Sequence, residues 1–154
     1  MSRTKRNLQE NSFYHVCNRG NNKEQVIRNA EDKQMFINLL YRNFKACGIK
    51  IVTFCIMDNH FHLILKTGKN PQDLSKFMQK VTTSFAVQIN RKYKRVGHVF
   101  QGRYNANYLP LRKDLAQAIS YIQNNPVREG IVKKPKEYRW NKVHRWGLGT
   151  DLCQ

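Results

Sequence analysis

The sequence predicts an α+β fold, an antiparallel sheet with packed helices of the ferredoxin-like or RRM-like kind. Three observations predict it. Segments rich in β-branched and aromatic residues alternate with segments of helical apolar period. Their order reads β-α-β-β-α-β-α, which suits a split βαβ arrangement. Two of the strands are separated by Asp58-Asn59 alone, so they return on each other as a hairpin. The 154 residues, 40% of them hydrophobic, suffice for one domain, 1–154, with a short basic N-terminal arm and a basic C-terminal tail.

Residues 1–10 are polar and basic and read as the arm. FYHVCNR, 13–19, reads as a strand that Gly20-Asn21-Asn22 breaks. Met35, Phe36, Leu39, Leu40, Phe44 and Cys47 recur at helical spacing, and Gly48 is placed to stop that helix. IKIVTFCIM (49–57) and HFHLILK (60–66) form the hairpin. Asn70 is a fitting N-cap for the next helix, with Pro71 at its first position and Asp73 in its first turn. Leu74, Phe77, Met78, Val81, Phe85 and Ile89 make one apolar stripe along it. The helix runs into RKYKR, 91–95, whose cations suit a C-terminus. VFQGRYNANYL, 99–109, reads as a strand with an irregularity at Gly102. Leu115 to Asn125 reads as the last helix, closed by Pro126. In the tail, Trp140 and Trp146 are expected to anchor the chain.

Charge is the strongest bulk signal. Lys and Arg number 28 against 10 Asp and Glu, a net +18, which points to a polyanionic partner, nucleic acid first and an anionic membrane surface second. From Leu74 to Lys113 there is no acidic residue and nine basic ones. No apolar run approaches the length of a membrane span, and with nucleic acid as the leading candidate no membrane partner is expected. The first ten residues carry no apolar core of a signal peptide, so a cytoplasmic location is expected. The four cysteines, Cys17, Cys47, Cys55 and Cys153, form no CxxC pair and read as free thiols.

His60 and His62 flank Phe61. On a strand, residues two apart share a face, so the two imidazoles project together and can share one cation. Tyr121 and Asn125 are four residues apart, which on a helix puts them on one face. Pro126 leaves Asn125 on the last turn, where its amide oxygen could face a metal with the phenol one turn away.

Together these segments carry a resemblance. HFH (60–62) is similar to the His-hydrophobic-His, or HUH, motif of single-strand endonucleases. YIQNNPVREGIV (121–132) resembles the tyrosine segment of the REP-associated tyrosine transposases, bacterial relatives of the single-tyrosine HUH transposases. YHVCNRGNN (14–22), MDNHFHLIL (57–65) and GHVFQGRY (97–104) also look like that family's blocks, in the same order. Two positions depart from the family pattern: Asp58 stands where Pro is usual, and Phe100 where Trp is frequent.

The resemblance implies the HUH endonuclease fold. It makes His60 and His62 metal ligands, Asn125 the third ligand and Tyr121 the nucleophile. It implies DNA strand transfer on single-stranded DNA bearing REP-like palindromic hairpins, through a 5′-phosphotyrosine intermediate. Mixed nitrogen and oxygen ligands suit Mg²⁺ or Mn²⁺. Arg19, Arg91, Lys92, Lys94, Arg95 and Arg103 are the candidate DNA contacts, with Tyr93 and Tyr104 as candidate stacking partners. His15 and Gln123 are candidates for a general base by motif position only. Monomer or homodimer stays open, with the monomer favoured and a location on the nucleoid when DNA is bound. The alternatives are a catalytically inactive nucleic-acid-binding module, an RRM-like RNA binder, and a structural zinc protein using the histidines with Cys55.

Overall fold

The computed structural model describes residues 4–144. Among these, five strands form one sheet: β1 (Phe13–Arg19), β2 (Lys50–Ile56), β3 (His60–Lys66), β4 (Asn105–Leu109) and β5 (Asn141–Val143). Four α-helices accompany them: α1 (Ala30–Asn43), α2 (Asp73–Tyr93), α3 (Arg112–Gln123) and the short α4 (Asn125–Arg128). The spatial order is β4-β1-β3-β2-β5, with each neighbouring pair antiparallel. The α+β class and the ferredoxin-like order of the first four strands are as the sequence predicts.

Strand alternation divides the apolar residues between two faces. On one, Val16, Phe54, Ile56, Phe61, Leu63 and Leu65 pack with Phe36 and Leu40 of α1 and with the apolar stripe of α2. Phe61 lies 4.8 Å from Phe36 and 5.6 Å from Phe100, centroid to centroid. Truncating so buried an aromatic to Ala costs about 3–5 kcal/mol. On the other face, Val52, Cys55, Met57 and Ile64 pack with Leu115, Ile119 and Ile122 of α3 and with Tyr138. A bulge between Ile51 and Thr53 sends Val52 to this second core, while Ile51 stays in the first.

Four elements differ from the expectation. Helix α1, capped by Asn29, whose side-chain oxygen accepts from Asp32 N at 2.9 Å, ends at Asn43 instead of running to Gly48, and residues 44–48 are turn. Helix α2 starts at Asp73 rather than after Asn70, because residues 70–75 first make i→i+3 bonds (Asp73 N to Asn70 O, Leu74 N to Pro71 O, Ser75 N to Gln72 O). Of the segment 99–109 only Asn105–Leu109 is strand, and Phe100 makes an isolated bridge to Gly20. Strand β5 has no apolar alternation to announce it; it forms on the edge that β2 offers, with Cys55 opposite Asn141. The expected anchor Trp140 packs against both cores, and Ile56 N donates to its carbonyl. Trp146 and Cys153 lie outside the described residues.

Candidate active site

The register of β1 on β3 builds the site. Cys17 lies opposite His62, and Arg19 opposite His60, so these side chains share the α3 face of the sheet with His15. The turn Met57–His60 closes with Met57 N donating to His60 O at 2.8 Å. Gly20 N donates to Asn59 O at 2.7 Å, joining the end of β1 to that turn. A Cβ on Gly20 would come within 2.3 Å of Glu24 O, so the approach requires glycine.

Each histidine is oriented by a partner. His60 Nδ1 bonds Asn59 Oδ1 at 2.6 Å, which leaves Nε2 as the lone-pair nitrogen of the neutral ring. His62 Nδ1 lies 3.0 Å from His15 Nε2. The His60 and His62 rings stand at 85°, with centroids 5.1 Å apart. Burial lowers the pKa of both His15 and His60. Burial, then the adjacent His60, His15 and Arg128, pushes His62 down to about 3. All three rings are therefore neutral at physiological pH, the form that offers a lone pair to a cation.

Tyr121 stands on α3 above this pair, its ring 6.1 Å from His62 and 6.4 Å from His15. It is 52% exposed, open to a substrate. Arg128 lies over its ring at 4.0 Å and donates from Nη2 to Tyr121 O at 2.7 Å. The expectation that Tyr121 and Asn125 share one continuous helix is corrected. Helix α3 ends at Gln123, and Asn124 (φ −87°, ψ −2°) separates it from α4. The physical reason is Pro126, which has no N–H to continue the ladder and instead sits in the first turn of α4. Beyond the break Asn125 is buried beside His60, where its side chain opposes the burial that lowers the His60 pKa.

Glu129 was not among the expected site residues. Its Oε1 lies 3.7 Å from His60 Nε2. The signal was present in the sequence: Glu129 follows Asn125 by four residues, as Asn125 follows Tyr121. The open face thus gathers two neutral imidazoles, an amide and a carboxylate. That donor set fits a divalent cation of the Mg²⁺ or Mn²⁺ type. A second group lies beside it: one ligand atom each from His15, Cys17 and His62 come within 4.8 Å of one another. His60 is not part of that group. Cys55, the thiol considered from sequence, is fully buried; its Sγ lies 3.6 Å from Met57 Sδ and burial pushes its pKa up to about 12.

A cavity of about 740 Å³ opens on the site, lined by Cys17, Arg19, His60, His62, Arg103 and Glu129 among others. Arg19, paired across the sheet from His60, and Arg103, which donates to Thr4 O at 3.1 Å, both line this cavity. The cations of 91–95 differ from them. Lys92 Nζ contacts Asp32 Oδ1 at 2.7 Å and Glu31 at 3.3 Å, and Arg95 contacts Glu24 at 2.8 Å. Arg91 and Lys94 are exposed. Tyr93 donates its hydroxyl to Asp32 and carries Arg28 over its ring at 4.1 Å. Tyr104 donates to Ser75 Oγ and carries Arg6 at 3.7 Å. Both rings therefore have an arginine on one face. Gln123 Nε2 donates to Thr53 Oγ1 at 2.7 Å, a bond that ties α3 to β2.

Paired histidines lie beneath a helix-borne tyrosine on a strongly basic α+β domain, and its family makes the chain a DNA-processing enzyme. The chain belongs to the IS200-like transposase family, whose family model matches residues 9–125. It is similar to a Haemophilus influenzae protein assigned as a REP-associated tyrosine transposase, 28% identical over 120 residues, covering 66% of this chain and 68% of the relative. It is also similar to the REP-associated tyrosine transposase of Escherichia coli K12, 20% identical over 134 residues, covering 87% and 77%. Among solved structures it shares its fold with a REP-associated tyrosine transposase bound to a REP hairpin, at a TM-score of 0.76 and 19% identity, covering 94% of this chain and 84% of that one. A Deinococcus radiodurans protein assigned as a transposase follows at a TM-score of 0.54 and 19% identity, covering 80% and 97%. The resemblance read from the sequence motifs is borne out. Among the described residues no helix is long and apolar enough to cross a membrane.

Proposed function

We propose that the protein cleaves and rejoins single-stranded DNA at palindromic, REP-like hairpins, through a 5′-phosphotyrosine intermediate and with a divalent metal. The observation that carries this reading is the placement of Tyr121 edge-on to His62, above a face where His60, His62, Asn125 and Glu129 converge. The names of the similar proteins support the hairpin substrate.

A bound Mg²⁺ or Mn²⁺, held by His60, His62 and Asn125 with Glu129 beside them, would neutralise the phosphate oxygens and polarise the phosphorus. The chain's own residues do the rest. Arg19 and Arg103 bring the backbone phosphate into the cavity. Arg91 and Lys94 extend the cationic track, while Lys92 and Arg95 chiefly fasten α2 to the loop and helix before the hairpin. Arg128 holds the Tyr121 ring. The Tyr121 oxygen attacks phosphorus, the bond to the 3′ oxygen breaks, and the phenol proton leaves as the 3′-hydroxyl forms. The phosphodiester energy stays in the tyrosine link, so a 3′-hydroxyl can reverse the step and join ends. The protein acts in the cytoplasm, with the monomer favoured over the homodimer, and sedimentation distinguishes the two states.

The test is incubation with end-labelled single-stranded DNA carrying a hairpin from the flanks of its own gene, with Mn²⁺ or Mg²⁺ present. A protein–DNA adduct that survives denaturation, absent in Tyr121→Phe, is the expected result. Tight hairpin binding with no adduct would favour the inactive binding module instead.

A further inference from the structure

We infer that His15, Cys17 and His62 form a site for a thiophilic metal ion such as Zn²⁺, and that its occupation takes His62 away from the divalent-metal pair. The first half rests on geometry alone. The second rests on the proposed function.

The geometry is close to that of a ligand set. Two nitrogens each about 2.0–2.1 Å from zinc at a tetrahedral angle lie roughly 3.3 Å apart. His62 Nδ1 and His15 Nε2 are 3.0 Å apart. Cys17, directly opposite His62 in the sheet, brings its sulfur within 4.8 Å of a ring nitrogen of each histidine. A small opening of the imidazole pair would admit the ion. Cys17 and His62 line the open cavity, which gives it an entry path and a fourth position for water. Binding forms one Zn–S and two Zn–N bonds. The thiol proton and the proton shared by the two imidazoles move off the bonding atoms, the first to solvent and the second to the outer nitrogen of a ring. One thiolate and two imidazoles select a soft ion over Mg²⁺.

Exclusion follows from the chemistry of imidazole. A neutral ring has one lone pair. With His62 Nδ1 paired to His15, the ring's other nitrogen, Nε2, is the one available to join His60 in holding Mg²⁺ or Mn²⁺. Zinc on Nδ1 puts the proton on Nε2, and His62 then cannot serve that pair. The same side chain can take either ion but not both.

Cobalt(II), a zinc substitute with a visible spectrum, separates the two halves. Titrated into the full chain, it is expected to give a near-ultraviolet thiolate-to-cobalt band that saturates at one equivalent and is displaced by zinc. The band should vanish in Cys17→Ser and His15→Ala, with circular dichroism confirming that both fold. A band that persists in Cys17→Ser, or none in the wild type, overturns the site. The adduct assay with Mn²⁺ then reads the exclusion. Zinc should suppress wild-type adduct at least tenfold while Cys17→Ser, relative to its own zinc-free level, loses little. Equal suppression of both proteins overturns the exclusion. A cobalt band in a protein that forms no adduct under any metal would leave the site standing and sink the nuclease reading.

Discussion

Lys33 Nζ lies 2.5 Å from Asp58 Oδ1, directly behind the turn that delivers His60 to the site. The lysine side chain is 6% exposed, and its ammonium also donates to Ile27 O at 3.0 Å. Ile27 N in turn donates to Asp58 O at 2.9 Å. Asp58 is the residue that departs from the proline usual at this point of the family pattern. The structure supplies its reason, since a buried ammonium requires a nearby counter-charge.

Asp58→Pro, which restores the usual family residue, is therefore expected to destabilise the fold by about 1–3 kcal/mol, because it strands the lysine. Lys33→Met combined with Asp58→Pro should recover most of that loss. Urea denaturation of the two singles and the double completes the cycle. Additive losses would refute the coupling.

Stability should depend on pH through the histidine cluster. His62 falls from 6.5 to about 3 in the folded protein. Between those values the unfolded chain binds the extra proton, so stability rises with pH across that window and is fully present above 6.5. One such group contributes a slope of up to about 1.4 kcal/mol per pH unit. Urea midpoints at pH 7 and pH 5, with chelator present, should differ less in His62→Asn than in the wild type.

Glu129 gives a direct check on the cation site. Glu129→Gln keeps the shape and removes the charge beside His60 Nε2. Mn²⁺ affinity, followed by loss of the free-ion electron paramagnetic resonance signal, should weaken about 10–100-fold. Unchanged affinity would remove Glu129 from the site.

The basic residues should separate into two groups. Arg103 lines the cavity, whereas Arg95 is spent on Glu24. Arg103→Ala should weaken hairpin binding and reduce the salt slope by about 1. Arg95→Ala should leave that slope nearly unchanged and act on stability instead. A slope lowered in Arg95→Ala and unchanged in Arg103→Ala would show that the cation run, not the cavity, meets the DNA.

Arg128→Ala should slow adduct formation about tenfold, within the range of a lost ring–cation contact, with hairpin affinity reduced less. Single-turnover rates at saturating DNA separate the two.

Much of this arrangement was legible in the sequence. Phe61 between two histidines gave the face they share, and the stripe from Leu74 to Ile89 gave the helix that covers the other face. Periodicity could find these because it reports burial. It could not find β5, whose Asn-Lys-Val carries no alternation and exists because β2 has an open edge. Nor could it locate the break at Asn124, since Pro126 is compatible both with ending a helix and with starting one. The links from Lys92 to Asp32 and from Arg95 to Glu24 span 60 and 71 positions, beyond the reach of local pattern reading.

The alternation along β3 ties chemical competence to folding fidelity. Phe61, Leu63 and Leu65 are fully buried on one side, with His60 and His62 on the other. Slipping the strand by a single residue would drive two imidazoles into hydrocarbon and turn a phenylalanine out toward the substrate. A chain that pairs wrongly is thus silenced and unstable at once, so no misregistered yet well-folded form is left to bind DNA unproductively. The interleaving acts as a proofreading device written into seven residues.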